Sequence, residues 1–300
     1  MTDQQRAERS ADAADSTPDP AFERLLAKAR ETMPSARTAA TDPASAPRPT
    51  TPLPTARKLS AGTSPHSIAM SPDGVRLHVT NFRTGSVSHL TLADQTLTTT
   101  TGVLENPYGI AAAPDGKSLV VASPTQEALA HVDLADGTSV VSVFGRAPYG
   151  VCMGAEGRVY LALGLEDTIL VTDQFAKADF ATIPGVPFPV GVAVDHDETR
   201  LYASCYFSDT VAVIDLHSRS PLATIPVDRG PYGLALSPDG STLFAAHFPF
   251  DSVSRIDLAR EAVIDTIPVG GGPRGVALSP AGDRLYVTDF FEDSVTELAV

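Results

Sequence analysis

The sequence predicts an all-β fold: a six-bladed β-propeller whose ring is closed by a strand from the N-terminal side of the domain. Three observations carry this expectation. A proline-led segment recurs at 65, 107, 148, 189, 231 and 273, in steps of 41 or 42 residues. Each recurrence is followed by a turn and an apolar strand: "RLHVTN", "SLVVAS", "VYLAL", "RLYASC", "TLFAAH" or "RLYVTD". A third strand such as "DTVAVIDL" and often a fourth such as "ATIPV" complete the unit. Four short strands per repeat at this period mark propeller blades. One such sheet cannot bury both faces alone, whereas six around an axis can.

The sixth unit ends at Val300 with only three strands. Superposing Pro65 on Pro273 lays "ARKLSAG" (56–62) over "IDTIPVG" (264–270), the outer strand of the fifth unit. Residues 56–62 are therefore expected to pair with 294–299 and to protect edges that would otherwise invite aggregation.

Ahead of the ring domain (55–300), residues 1–54 differ in kind. "TAATDPASAPRPTTPLPT" lacks periodicity and reads as a disordered linker. Before it, "DPAFERLLAKARETM" suits a short helix over 20–33. Asp19 can cap it, Pro20 opens it, and Phe22, Leu25, Leu26 and Ala29 share one face. So short a helix is marginal alone; the main reading is a mostly disordered segment, the alternative a docking or lid helix.

Composition excludes several functions. With 22 basic and 36 acidic side chains the net charge is −14, and residues 51–300 alone hold 15 against 28. Neither nucleic acid nor anionic membrane is an expected partner. No apolar run is long enough to span a bilayer, and "MTDQQRAERSADAADS" lacks the apolar core of a secretory signal. Cys152 and Cys205 show no metal-like spacing, and a C-x-x-C-H haem motif is absent. A reduced, cytoplasmic monomer without cofactor or metal is expected.

Function in a propeller sits on the loops at one mouth of the ring. The repeat predicts two circles of residues there. The inner circle follows the repeated proline: His66, Tyr108, Tyr149, Val190, Tyr232 and Arg274. The second ends each second strand, about 5 Å further out: Asn81, Ser123, Leu163, Cys205, His247 and Asp289. Blades five, six and one thus supply the ionisable groups, and blades three and four an apolar wall. Of 19 aromatic residues, 11 fall in these mouth segments, Phe250 and Phe291 among them, where turn chemistry alone favours small polar side chains.

The candidate catalytic residues are His66, His247, Asp289 and Arg274. The histidines would trade protons, Asp289 would orient one of them, and Arg274 would stabilise negative charge. Asn81, Phe82, Tyr108, Tyr149, Phe188, Tyr206, Phe207, Tyr232, Phe248 and Phe290 are the candidate substrate contacts. Asp209, Asp251 and Asp293 precede Ser or Thr in equivalent loops and are assigned to turns. "DHDET" (195–199) occupies the turn position of the opposite face and reads as structural rather than as a metal cluster.

"RLYVTD", "RLHVTN", "SPDG" and "TIPVG" resemble the YVTN-type β-propeller repeat, over residues 56–300. Propellers with such repeats are similar to lactonases, a streptogramin-cleaving lyase, haem-containing redox propellers and surface-layer proteins. Together, residues and resemblance suit a lyase, cyclase, isomerase or lactone hydrolase of secondary metabolism, acting on a hydrophobic small molecule. The alternative is a non-catalytic module that grips a peptide or partner protein. A calcium-dependent hydrolase ranks last, because only Asn81, Glu105, Asn106 and Asp289 offer oxygen ligands near the channel. Four ionisable residues converging on one concave pocket would favour catalysis; an aromatic surface would favour a partner.

Overall fold

The computed structural model describes residues 56–300; the linker and the helix read over 20–33 lie outside the described residues. The domain contains six four-stranded antiparallel sheets. Blades 1 to 5 run consecutively through Pro65–Thr100, Ile110–Val143, Val151–Pro184, Pro189–Pro226 and Pro231–Pro268. Blade 6 takes three strands from Pro273–Ala299 and its outer strand from Arg57–Ser60. The register of closure is Arg57↔Glu297, Lys58↔Thr296, Leu59↔Val295 and Ser60↔Ser294. The closing strand is thus where the repeat phase puts it, though shorter than 56–62.

Alternation along each strand sends apolar side chains into the seams between blades. The seam of blades 6 and 1 buries Leu59, Ile68, Leu77, Val79, Tyr286 and Val295. Leu59, from the closing strand, is 2% exposed; full burial of such a side chain contributes about 1.5–3 kcal/mol. Closure is therefore a packing event as well as a hydrogen-bonded one.

The glycine that follows the inner-circle residue in blades 2 to 6 has a specific steric cause. A Cβ on Gly109 would sit 2.6 Å from the Tyr149 carbonyl oxygen, and one on Gly191 would overlap the Tyr232 carbonyl. Inner strands of adjacent blades approach too closely here for any side chain. In blades 1, 4 and 6 a hydroxyl bridges that approach. Thr80 Oγ1 accepts the Ser67 N–H (2.9 Å) and donates to the Tyr108 carbonyl (2.9 Å). Ser204 Oγ links Gly191 N–H (2.7 Å) to the Tyr232 carbonyl (2.5 Å). Thr288 Oγ1 links Gly275 N–H (2.7 Å) to the His66 carbonyl (3.1 Å). The backbone carrying the inner circle is thereby fixed.

A second repeated device lies at the mouth. Asp167, Asp209, Asp251 and Asp293 all adopt left-handed φ of 49–56°, a region Asp tolerates better than most residues. Their Oδ1 atoms accept backbone N–H groups of Phe188 (2.9 Å), Gly230 (3.0 Å), Gly272 (2.9 Å) and Ser64 (2.7 Å). The turn aspartates thus latch each second-to-third-strand loop to the segment entering the next blade. The Asp293–Ser64 bond adds a further tie across the closure.

Candidate functional site

Inner-circle residues reach the axis because each follows a proline at or just before the start of an inner strand, where the blades pack closely. All six are buried. His66 lies against Tyr108 (ring centroids 4.1 Å), Tyr232 (5.4 Å) and Phe82 (5.7 Å). Its Nε2 is 3.1 Å from the Tyr232 hydroxyl. Burial, and then the charge of Arg274, hold its pKa well below the ordinary value, so the imidazole is neutral. The Arg274 guanidinium carbon is 3.8 Å from the Phe290 ring centroid, 4.5 Å from Phe248 and 5.5 Å from Tyr232. Desolvated stacking of this kind strengthens the attraction between cation and ring.

Aromatic contacts continue around the mouth. Tyr108 meets Tyr149 at 5.6 Å, Tyr149 meets Phe188 at 5.5 Å and Phe188 meets Phe207 at 4.6 Å. Tyr206 joins Phe207 (5.1 Å) to Tyr232 (6.2 Å), and Phe248 reaches Phe291 at 5.6 Å. Edge-to-face and tilted pairs predominate, the arrangement aromatic quadrupoles favour. Tyr206, Phe207 and Phe248 are half-buried, whereas Phe250 and Phe291 are 51% and 58% exposed. The mouth is a packed aromatic floor with an open phenylalanine rim over blades 5 and 6.

The second circle faces elsewhere. Asn81 Nδ2 donates to Ser88 Oγ (2.7 Å) and Ser86 Oγ (3.2 Å). His247 Nε2 lies 2.8 Å from Ser254 Oγ. Asp289 Oδ2 accepts from Thr296 Oγ1 (2.5 Å), Ser294 Oγ (3.2 Å) and Lys58 Nζ (2.6 Å). Each residue bonds to the hydroxyl seven positions later, on the third strand of its own blade. Where the second-circle residue is Ser123, Leu163 or Cys205, that partner position is Ala130, Leu170 or Ala212. Asn81, His247 and Asp289 thus meet polar partners and Leu163 and Cys205 apolar ones, whereas Ser123 donates its hydroxyl to the Glu105 carbonyl (2.7 Å) instead. This spacing is a sequence signal that reading the strand ends alone does not use.

Asp289 is also the inner half of the closure, because Lys58 comes from the closing strand and pairs with Glu292 at 2.9 Å as well. Burial pushes the Asp289 carboxyl upward while Lys58 and Thr296 oppose it. Burial likewise lowers the His247 pKa. The structure therefore brings His66 and Arg274 together with Tyr108, Tyr232, Phe82 and Phe290. It ties His247, Asp289 and Asn81 into their own blades, not into one cluster with His66. Sequence reasoning placed Phe250 and Phe291 at the mouth but not among the contacts; their exposure distinguishes them.

Cys205 is buried and its thiol is pushed up to about 11, chiefly by burial, which makes it a poor nucleophile. "DHDET" forms the expected turn, with Asp195 Oδ1 accepting from Thr199 N–H (2.7 Å) and Arg200 N–H (3.0 Å). Among the described residues no three His, Cys, Asp or Glu side chains cluster as metal ligands, and no helix is long and apolar enough to cross a membrane. A cavity of about 390 Å³ lies on the opposite face, between the turns of blades 2 and 3, beside Pro114, His131 and Met153.

Fold and mouth together define a six-bladed propeller with a closed, aromatic-floored axis. The chain belongs to the YNCE-like beta-propeller family, whose model matches residues 37–300. Among solved structures it is similar to hydrazine synthase of Kuenenia stuttgartiensis, at 20% identity and TM-score 0.65, covering 81% of this chain and 97% of that one. It is also similar to streptogramin B lyase, at 12% identity and TM-score 0.60, covering 81% and 96%. The β-propeller domain of Myceliophteria thermophila Cps50 (Swd1) matches at 13% identity and TM-score 0.60, covering 82% and 99%. No curated protein matches the chain. These likenesses establish the fold.

Proposed function

We propose that the protein is a binding module whose mouth docks a basic, apolar peptide segment of a partner protein. The observation that carries this reading is the aromatic floor itself. Its inner rings pack against one another, and its most exposed apolar part is the rim formed by Phe250 and Phe291 beside the half-buried Phe248. Clustered exposed aromatics of this kind are characteristic anchors for a partner. Charge supports the chemistry of the segment. The mouth loops carry nine carboxylates, including Glu105, Asp228 and Glu292, against Arg83, Arg146 and Arg229. Lys or Arg side chains would gain from those carboxylates and from the phenylalanine faces.

Selection from a displayed random-peptide library tests the proposal. The expected binders combine Lys or Arg with aromatic or aliphatic residues, and lose at least about 10-fold in affinity to the Phe250→Ser/Phe291→Ser variant. Acidic binders, or binders indifferent to that variant, would contradict it.

A second reading, acid–base catalysis on a hydrophobic small molecule, is favoured by the contact between neutral His66 and the Tyr232 hydroxyl. That pair, with Arg274 beside it, has the groups for proton transfer and for stabilising an anion. Incubation with metabolites of neighbouring biosynthetic enzymes, followed by mass spectrometry, would test it. Conversion lost by roughly 10²-fold or more in His66→Ala would favour it over docking.

A further inference from the structure

We propose that the outer strand of blade 2, Ser139–Val143, pairs antiparallel with the same strand of a second copy, joining two propellers through a continuous eight-stranded sheet. The other blades' outer strands carry features that discourage such pairing. The outer strand of blade 1 is only four residues long, and blade 3 has Pro184. Blade 4 has Pro221 and Pro226, and blade 5 has Asp265 and Pro268. Blade 6 has Arg57 and Lys58.

The "SVVSV" strand has neither proline nor charge, and Val140, Val141 and Val143 are 55%, 47% and 71% exposed. Its inner side pairs with Ala128–Val132, so its other edge presents unpaired backbone groups.

Charge identifies the occupant. The chain is strongly acidic, and like-charged copies repel over most approaches. The uninterrupted stretch from Gly137 to Gly145, "GTSVVSVFG", is uncharged, so two copies can approach there without opposing charges at the contact. The strand is also self-complementary. A two-fold axis through Val141 sets Val141 against its own copy and Val140 against Ser142, the same patch serving both partners. A β-edge contact this short makes a weak, reversible dimer, in contrast to the monomer that the sequence suggests.

Sedimentation velocity on the full chain over roughly 1 to 200 µM tests this. The expected result is a dimer that grows with concentration in the wild type and is abolished by Val141→Lys, with an unchanged circular dichroism spectrum and melting temperature. Leu222→Lys, at a 55%-exposed position of blade 4's outer strand, should leave association intact. Under mild oxidation Val141→Cys should cross-link to its copy, since directly opposed strand positions lie about 5 Å apart. A monomer at every concentration would overturn the proposal. So would a dimer indifferent to Val141→Lys, or one equally disrupted by Leu222→Lys.

Discussion

The inner and second circles of the mouth are matched in repeat spacing and opposite in orientation. His66, Tyr108, Tyr232 and Arg274 face the axis and one another, so their side chains form a floor. Asn81, His247 and Asp289 sit one strand further out and spend their polar atoms on third-strand hydroxyls of their own blades. A polar residue at the mouth is therefore not automatically a residue of the site. What decides is whether its blade supplies a partner, and residue i+7 records that.

The comparison can be broken most severely at the inner circle. Gly191→Ala should lower stability by about 3 kcal/mol or more, or prevent soluble expression, because the added methyl meets the backbone carbonyl of Tyr232. Denaturant melts would show it. Tolerance of alanine there would mean that the inner strands do not approach as closely as described.

At the second circle, Lys58→Met should cost about 2 kcal/mol near pH 7, below the 3–5 of a fully enclosed pair. Lys58 is only partly buried, and Asp289 keeps its two hydroxyl donors. The Asp289 carboxyl is already raised by burial, and losing Lys58 should raise it further. A carboxyl with a raised folded pKa favours the folded state at low pH and loses that contribution as pH rises through its folded value. The variant's deficit should accordingly shrink in urea melts near pH 5. A deficit that grows on acidification would contradict the assigned pair.

Still further from the axis, His78 and His89 place their Nδ1 atoms 2.8 Å apart across blade 1. Burial first, then the charges of His89 and Arg76, lower the His78 pKa to about 3. The unfolded chain therefore takes the proton first, and stability falls as pH drops below about 6.5, by up to roughly 1.4 kcal/mol per pH unit from this residue. Equivalent positions hold Tyr160, Tyr202 and Tyr286. His78→Tyr should flatten that acid limb between pH 6.5 and 5; an unchanged slope would remove His78 from the account.

The smallest effect sharpens the comparison best. His247→Leu alone should cost about 1 kcal/mol by stranding the Ser254 hydroxyl, and adding Ser254→Leu should recover much of the loss. Blade 3 already carries that pairing as Leu163 and Leu170. Strict additivity of the two substitutions would mean that the i+7 bond is not the role of His247.

Much of this was legible in the repeat. The phase of the prolines located the closing strand, and the residue after each proline located the inner circle. Strand spacing supplied a distance from the axis for the second circle but not a facing direction, so His247 and Asp289 read as mouth residues. Their partners Ser254 and Thr296 were visible, but as ordinary strand residues. The latch was half legible: the turn showed for Asp209, Asp251 and Asp293 but not for Asp167, and its reach to the next blade depends on left-handed backbone that spacing does not reveal. Exposure of Phe250 and Phe291 depends on how tightly neighbouring rings pack, a property of three dimensions.

The most direct test compares rim and second circle in one titration series. Isothermal titration calorimetry of a library-selected basic, apolar peptide would be run against wild type, Phe250→Ser/Phe291→Ser and His247→Leu/Ser254→Leu. The docking account predicts that the rim variant loses at least about 10-fold in affinity while the second-circle variant stays within about 2-fold of wild type. A rim variant that binds like wild type, alongside a second-circle variant that does not, would contradict it.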